Sequence, residues 1–290
     1  MNHVLSNGEL TVTIREHGAE PVSARRGACE YLWQGDPAFW SGRAPLLFPI
    51  CGRLFGGTYR HEGRRFEMGI HGFARHCDFA AERLSETALR LTLRPSPETR
   101  RAYPFDFALT VEYRLDGATL ACEARVDNPG PATLPFAFGA HPGFNVPLAG
   151  AGAFEDWELA FDEPCSPDRF LLSDACFQTG RKAPFALEGG RTLRLRHDLF
   201  DRDAIFLSRT SGAVTLRSAR TERFVRVRYP DMPYVGFWHP PRTEAPFVCI
   251  EPWCGLPSFE GVEDDFAAKT DFFRLPPGTG RRLLHEITFG

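Results

Sequence analysis

Apolar and polar residues alternate along much of the chain, as they do in β-strands that bury one face. The segments 10–14 and 89–93 both show this alternation. The segments 107–113 and 120–126 show it on either side of Asp116-Gly117, a dipeptide that favours a tight turn. The pattern therefore predicts two separate strands and a β-hairpin, each with its apolar side chains on one face.

Shorter apolar runs in the second half of the chain predict further strands, at 193–195, 205–207, 214–216, 225–229, 247–250 and 287–289. Helix signals are few: the stretch 37–39 could form a single turn, and 24 prolines and 27 glycines interrupt the chain too often for long helices. Strands do not alternate with helices, which argues against a parallel α/β sheet. We therefore predict an all-β fold, a large antiparallel sandwich or barrel, with residues 1–290 forming one domain.

Composition and charge narrow the class of protein. The 290 residues are 43% hydrophobic, enough for a large core, and the net charge is −3. Basic residues are not clustered, so neither nucleic acid nor a membrane surface is an expected partner. No segment has the roughly 18 to 20 apolar residues of a membrane helix, and residues 1–13 lack the layout of a signal peptide. We expect a cytoplasmic protein that is a monomer or a homodimer.

Glycine and cysteine positions indicate no cofactor. The segment 143–154 is rich in glycine and alanine and is predicted to be a loop. Its Gly150-x-Gly152 is not followed by the strand-to-helix turn of a dinucleotide site. The eight cysteines include no CxxC pair, and a chain of this size does not need disulfides, so we expect reduced, structural thiols. Cys122 and Cys249 lie in strand-like runs, where a thiol acts as a small apolar group.

Four short segments place one ionisable side chain at the end of an apolar run, beside glycine or proline. They are 47–54 with Arg53, 70–75 with His71, 138–144 with His141, and 247–255 with Glu251. A buried charge is costly unless it is paired or used. A lone histidine beside an apolar run is usually structural, but a glutamate directly after a buried strand favours a functional role.

Together these segments resemble the aldose 1-epimerase superfamily, and more closely its LacX-like bacterial branch. Six segments carry the resemblance in the same order: LFPICGRL, HGFAR, GAHPGF, DAIFL, YPDMPYVGFWHPP and APFVCIEPWCG. The resemblance implies a galactose mutarotase-like supersandwich, a large antiparallel β-sandwich with its site in a cleft on one face. It also implies a cofactor-independent, metal-free isomerase that interconverts the α and β anomers of a hexose, its small-molecule sugar substrate.

The resemblance assigns roles to individual residues. His141 matches the general acid and Glu251 the general base, while Arg53 and His71 match residues that hold the sugar. A substrate-binding aspartate is expected in the Asp-Arg-Asp stretch, where Asp201 and Asp203 both fit and Asp201 is preferred. Three rings are also expected to pack against the sugar, from their type and neighbourhood: Phe73, Trp238 and Trp253.

Anomer exchange needs a base that takes the proton of the C1 hydroxyl and an acid that protonates the ring oxygen. We expect Glu251 to be ionised and His141 to be protonated, because a neighbouring carboxylate favours the imidazolium. A hexose-6-phosphate 1-epimerase is a close variant, which would need an added cationic pocket, with Arg43 and Arg75 as candidates.

The sequence is also compatible with three other classes of protein. The first is a non-catalytic carbohydrate-binding protein on the same fold. The second is a zinc hydrolase using His71, His76 and Cys77, although this spacing matches no common zinc pattern. The third is a glycosidase with Glu251 and Asp201 as its carboxylates, which would have to lie roughly 5 to 10 Å apart.

Overall fold

Strands form nearly all the regular structure of residues 1–290, all of which the computed structural model describes. The strands are β1 (Asn2–Ser6), β2 (Thr11–Arg15), β3 (Glu20–Arg26), β4 (Cys29–Glu30), β5 (Leu46–Leu47), β6 (Thr58–His61), β7 (Arg64–Glu67), β8 (Ala80–Ser85), β9 (Ala88–Leu93), β10 (Ala108–Asp116), β11 (Thr119–Asp127), β12 (Leu134–Phe136), β13 (Gly139–Ala140), β14 (Gly143–Asn145), β15 (Trp157–Phe161), β16 (Asp168–Leu172), β17 (Gln178–Pro184), β18 (Thr192–Arg194), β19 (Ile205–Ser208), β20 (Ala213–Ser218), β21 (Val225–Arg228), β22 (Tyr234–Trp238), β23 (Phe247–Trp253), β24 (Asp264–Asp265), β25 (Phe273–Leu275) and β26 (Gly280–Phe289). The helices are α1 (Pro97–Ala102) and 3-10 turns at Phe55–Gly57, Ala74–His76, Leu148–Gly150, Phe154–Asp156 and His197–Phe200.

Two large antiparallel sheets make up the sandwich. One has nine strands in the order β18-β15-β20-β21-β26-β11-β10-β9-β8. The other has eight, with β17-β16-β19-β22-β23-β13-β5 in order and β14 paired to β23. Their inner faces meet, as where Phe161 of β15 lies 6.1 Å from Phe237 of β22 between ring centroids. Seventy-three buried hydrophobic residues form one contiguous core, and the predicted antiparallel β-sandwich is confirmed.

The predicted hairpin is formed by β10 and β11. Asp116 pairs with Thr119 across the turn, and Gly117 takes a positive φ of 52°. Alternate residues along both strands are buried, as the period of two requires. The other predicted runs fall on β2, β9, β18 to β21, β23 and β26. Burial of each large apolar side chain contributes roughly 1.5 to 3 kcal/mol, which sets the register of these strands.

Two sequence-based boundaries are wrong. The segment 143–154 is not all loop, because its first three residues form β14 and pair with residues 247–249 of β23. The strand predicted at 247–250 continues to Trp253, so that Glu251 lies within a strand. Both extensions arise because β23 pairs along both edges, a tertiary arrangement that local sequence does not record.

The stretch 37–39 and the cysteines agree with the sequence-based expectations. The stretch 37–39 forms a turn, with the Asp36 carbonyl accepting from the N–H groups of Phe39 and Trp40. All eight cysteines are free, and Cys122 and Cys249 are buried in β11 and β23. None of the helices has both the length and the apolar composition to span a bilayer.

Candidate active site

The central strand β23 assembles the site. One of its edges pairs with β22, and the other pairs first with β14 and then, at Trp253, with β13. His141 and Pro142 separate β13 from β14 and belong to neither strand. The Pro142 carbonyl accepts from Ile250 N–H at 3.1 Å. This hydrogen bond holds the two residues against β23, so His141 lies beside Glu251.

His141 and Glu251 meet inside the protein. The Nε2 atom of His141 lies 3.3 Å from Oε2 of Glu251, and the two residues are 8% and 1% exposed. The two atoms are within ion-pair range, but their angles are not those of a hydrogen bond. The remaining polar atoms, Nδ1 of His141 and Oε1 of Glu251, are buried without a hydrogen-bond partner. Both side chains thus keep unused hydrogen-bonding capacity in a buried place, which is uncommon in proteins.

Burial controls the protonation of this pair. It lowers the pKa of His141 to about 3, and the charge of Arg75 lowers it further. Burial also raises the pKa of the Glu251 carboxyl well above its usual range, and the charge of Asp203 raises it further. Both directions favour a neutral imidazole beside a carboxylic acid. The expectation of an ionised Glu251 and a protonated His141 left out this desolvation, although the pair holds one proton in either arrangement.

His71 lies next to the pair in a constrained backbone. Its φ is 65°, and its N–H donates to the Gly52 carbonyl at 2.7 Å while Gly52 N–H donates to Nδ1 of its ring at 3.1 Å. The neutral ring therefore carries its proton on Nε2 and can donate it. Burial lowers the pKa of His71 well below its ordinary value, and the charges of His141, Arg75 and Arg53 add to this effect. A positive φ at a non-glycine residue is typical of functional sites.

These side chains line one cavity of about 230 Å³. This is slightly below the roughly 300 to 1,000 Å³ of pockets for drug-sized ligands, and suits one small ring. The lining includes seven of the nine residues that the resemblance and their neighbourhood assigned to the site: Arg53, His71, His141, Asp203, Trp238, Glu251 and Trp253. Two further buried atoms on its wall, Nε of Arg75 and Nε1 of Trp253, have no hydrogen-bond partner. A ligand with several hydroxyl groups would satisfy such atoms.

Two expected residues do not line the cavity. Asp201 is exposed and follows the 3-10 turn His197–Phe200, whereas Asp203, with a φ of 70°, lines the cavity. The preference for Asp201 is corrected to Asp203, because the turn between them sends the two carboxylates in different directions. Phe73 packs in the core instead, against the rings of three buried aromatic residues, Phe48, Tyr103 and Phe107.

Comparison with known proteins shows the family of this chain. A family model described as aldose 1-epimerase matches residues 1–271. The chain belongs to the aldose 1-epimerase family. It is 37% identical over 262 residues to the chromosomal and the plasmid LacX proteins of Lactococcus lactis subsp. lactis, with 87% of each chain covered. The resemblance seen in six sequence segments is thereby confirmed at family level.

Solved structures agree with the family. A galactose mutarotase related enzyme from Lactobacillus acidophilus has a TM-score of 0.95 at 31% identity, covering 100% of this chain and 97% of that one. A galactose mutarotase-like protein from Lactobacillus casei has a TM-score of 0.93 at 32% identity, covering both chains fully. A galactose 1-epimerase from Lactobacillus acidophilus, at 16% identity and a TM-score of 0.73 over 100% and 94% of the two chains, shares the fold.

The sequence did not point to every residue of this epimerase-family cavity. Trp40, Cys176 and Phe206 also line it. Burial and the neighbouring Asp203 raise the pKa of the Cys176 thiol to about 11, so the thiol is neutral. An aromatic pair in a loop, Phe39-Trp40, was the one signal available for Trp40. Cys176 lies in the turn between β16 and β17 and Phe206 lies on β19, and only the fold brings them to the cavity.

The structure does not assemble the zinc set proposed from sequence. His71 lines the cavity, whereas His76 and Cys77 line a separate surface groove. The one cluster whose ligand atoms lie close enough to share a metal ion consists of His141, Cys249 and Glu251, within 4.8 Å of one another. Two of these three residues form the pair described above, so a metal ion there would occupy the pair itself. Of the glycosidase pair, Glu251 lines the cavity, whereas Asp201 is exposed and is not part of its lining.

Proposed function

We propose that the chain is an aldose 1-epimerase in activity as well as in family, and that it interconverts the α and β anomers of a hexose. The observation that carries the proposal is the 3.3 Å contact between His141 and Glu251 in a cavity that also holds Arg53 and His71. Ring opening needs a proton donor and a proton acceptor within reach of one substrate. The contact supports such a pairing, and family membership supports the class of reaction.

Ring opening and closure move one proton in each direction. The base takes the proton of the C1 hydroxyl, the electron pair of the C1–O5 bond moves to the ring oxygen, and the acid protonates that oxygen. Rotation about the C1–C2 bond turns the aldehyde over, and closure reverses both transfers to give the other anomer. With His141 as acid and Glu251 as base, the pair holds a single proton through the whole cycle.

The neutral pair that burial favours corresponds to the open-chain stage of this cycle. After opening, the proton of His141 has gone to the ring oxygen and Glu251 has gained one from the C1 hydroxyl. In the free enzyme, where burial favours the neutral pair, the carboxyl proton must first pass to the imidazole, across a contact of 3.3 Å, before a ring can open. A sugar hydroxyl that donates to Glu251 favours the carboxylate and so assists this transfer.

Other cavity residues hold the sugar in the reactive orientation. Arg53 and the Nε2–H of His71 donate to hydroxyl groups, and Asp203 accepts from them. The rings of Trp238 and Trp253 pack against the C–H face of the pyranose. Orientation of this kind lowers the entropic part of the barrier, because the reacting atoms start close to their transition-state positions.

Anomer exchange of glucose and galactose, followed by NMR exchange spectroscopy, tests the proposal. We expect the wild-type protein to accelerate exchange and Glu251→Gln to lose about 10²- to 10⁴-fold in catalysed rate. Sugar affinity in the variant, measured by calorimetry, should stay within a few fold. Glu260→Gln changes an exposed carboxylate and should keep the full rate. Saturable sugar binding by the wild type without anomer exchange would instead support a non-catalytic carbohydrate-binding protein.

A hexose 6-phosphate is a second candidate substrate, favoured by one observation. Arg75 lines the cavity, and its buried Nε atom has no hydrogen-bond partner. A guanidinium binds phosphate through two parallel hydrogen bonds, so a phosphate ester would use this atom. Arg43, the other candidate from the sequence, does not line the cavity.

Comparison of glucose with glucose 6-phosphate tests this candidate. We expect Arg75→Gln to raise KM for the phosphate ester about tenfold or more, as loss of a hydrogen bond to a charged group does. The KM for free glucose should change much less. Equal changes in KM for the two sugars would rule out a phosphate contact at Arg75.

A further inference from the structure

The ring of His141 is held by few polar contacts. Its Nε2 atom faces Glu251, and its Nδ1 atom is buried without a hydrogen-bond partner. A proton-transferring histidine is usually oriented by a hydrogen bond to its second nitrogen. In this protein that nitrogen has no such bond, so another contact must fix the angle of the ring.

Aromatic rings surround the imidazole on the remaining sides. Trp40 lies over its face, with ring centroids 4.9 Å apart and planes inclined by 32°. Trp238 and His71 meet it edge-on, at 5.5 Å and 77° and at 5.4 Å and 85°. Of these rings, only Trp40 presents a face to the face of His141, so it is the contact that limits tilting of the ring.

The loop that carries Trp40 is itself fixed. The carbonyl of Trp40 accepts from Nε1 of Trp33 at 2.7 Å, and its N–H donates to the Asp36 carbonyl at 2.9 Å. Glycines leave room for the indole on two sides. A Cβ on Gly42 would lie 2.4 Å from the indole, and one on Gly143 would lie 3.2 Å from it. The indole is therefore held in place rather than free to swing away.

We propose that Trp40 is a positioning residue, whose indole holds the His141 ring at its working angle and stabilises the protonated imidazole that donates to the ring oxygen. The physical reason is that the face of an indole attracts a cation. The inference rests on the acid–base function proposed above. Trp40 carries no ionisable group, so in this role it acts through His141.

Other ionisable groups also face the imidazole, and each affects its protonation independently of Trp40. Glu251 and Cys249 come from β23, His71 from the segment after β7, and Arg75 from the following 3-10 turn. Arg75 disfavours the imidazolium, as does burial. The indole face opposes both effects and favours the protonated ring by roughly 2- to 30-fold.

Trp40→Leu and Trp40→Phe test the proposal, with Phe39→Leu as the control. Phe39 is the neighbouring residue of the same loop and packs against Trp33, with ring centroids 6.2 Å apart. We expect Trp40→Leu to lower kcat about tenfold with little change in KM, Trp40→Phe to keep most of the rate, and Phe39→Leu to match the wild type. Nitrogen NMR of the His141 side chain should show its titration moving to lower pH in Trp40→Leu.

Two results would overturn the role of Trp40. One is a higher KM with unchanged kcat in Trp40→Leu, which would make the indole a sugar-packing surface only. The other is an unchanged His141 titration in both Trp40 variants, whatever their activity. Should Trp40→Leu fail to fold, the smaller change Trp40→Phe still supplies both readouts. Absence of anomer exchange in the wild type would refute the proposed function, whereas the His141 titration is read without any substrate.

Discussion

Gly236 lies directly opposite Glu251 in the β22–β23 pair, and it has no space for a side chain. A Cβ at this position would come within 2.6 Å of the Phe206 ring and 3.4 Å of the Glu251 Cβ. Phe206 in turn packs on Trp253, with ring centroids 4.4 Å apart. Because residue 236 is a glycine, the Phe206 ring can pack against β23 beside Glu251. This packing contributes to the burial that shifts the pKa of Glu251.

Gly236→Ala should therefore disturb both stability and activity. Overpacking of this kind costs about 1 to 3 kcal/mol, because Phe206 or the Glu251 backbone must move. Urea unfolding would measure the free energy of unfolding, and anomer exchange the activity. Gly69→Ala is the matched control, since a Cβ there meets nothing within 4 Å. Equal stability of the two variants would contradict the close packing described for Gly236.

Two aspartates two positions apart offer a sharp comparison. Asp203 lines the cavity, whereas Asp201 is exposed. Asp203→Asn should raise KM for the sugar by about 10- to 100-fold, because a charged hydrogen-bond acceptor is lost. Asp201→Asn should leave kcat and KM unchanged. The reverse result in steady-state kinetics would restore the assignment made from sequence.

The sequence predicted the fold class because several of its strands follow a period of two. The alternating segments 107–113 and 120–126 gave the β10–β11 hairpin, and each face of the hairpin is set by the burial of alternate residues. Many other strands were not predicted, the short β13 and β14 among them. Two or three residues are too few to show a period, and these strands exist only because β23 offers them an edge.

For the site, the sequence indicated which residues are candidates but not the direction in which each side chain points. His141 and Glu251 stood out as polar groups at the ends of apolar runs, and they meet in the structure. Asp201 and Asp203 could not be separated, because a turn with a positive φ decides which one faces the cavity. The protonation state that burial favours in this pair could not be anticipated, since desolvation depends on the whole surrounding fold.

Glu251→Gln should stabilise the protein at neutral and alkaline pH. Burial raises the pKa of Glu251 in the folded state, so above its unfolded value the folded protein keeps a proton that the unfolded chain releases. Protonation of Glu251 contributes its full stabilisation below the pKa that the group has in the unfolded chain. This contribution is lost as pH rises toward the pKa of the group in the folded protein. The variant lacks this loss, so its advantage in the free energy of unfolding should grow between about pH 5 and about pH 8. A constant difference across that range, measured by urea unfolding, would contradict a raised pKa.

His285 should lower the free energy of unfolding of the protein at acidic pH. It is 3% exposed on β26, and burial lowers its pKa from 6.5 to about 4. The unfolded chain binds a proton that the folded protein refuses, so stability present above pH 6.5 is lost as pH falls toward 4. The loss amounts to up to ~3 kcal/mol. His285→Leu should flatten the acid limb of stability in urea unfolding, and an unaltered limb would show that His285 is not responsible.

The mechanism depends on His141 and Glu251 acting as one unit that shares a proton. A double-mutant cycle on anomer exchange tests this most directly, with His141→Gln, Glu251→Gln and the double variant compared by NMR exchange spectroscopy. Each single variant should lose about 10²- to 10⁴-fold, and the double variant should be only slightly slower than either, because removal of one partner already disables the transfer. Losses that multiply in the double variant, or a wild-type rate in Glu251→Gln, would contradict a shared proton.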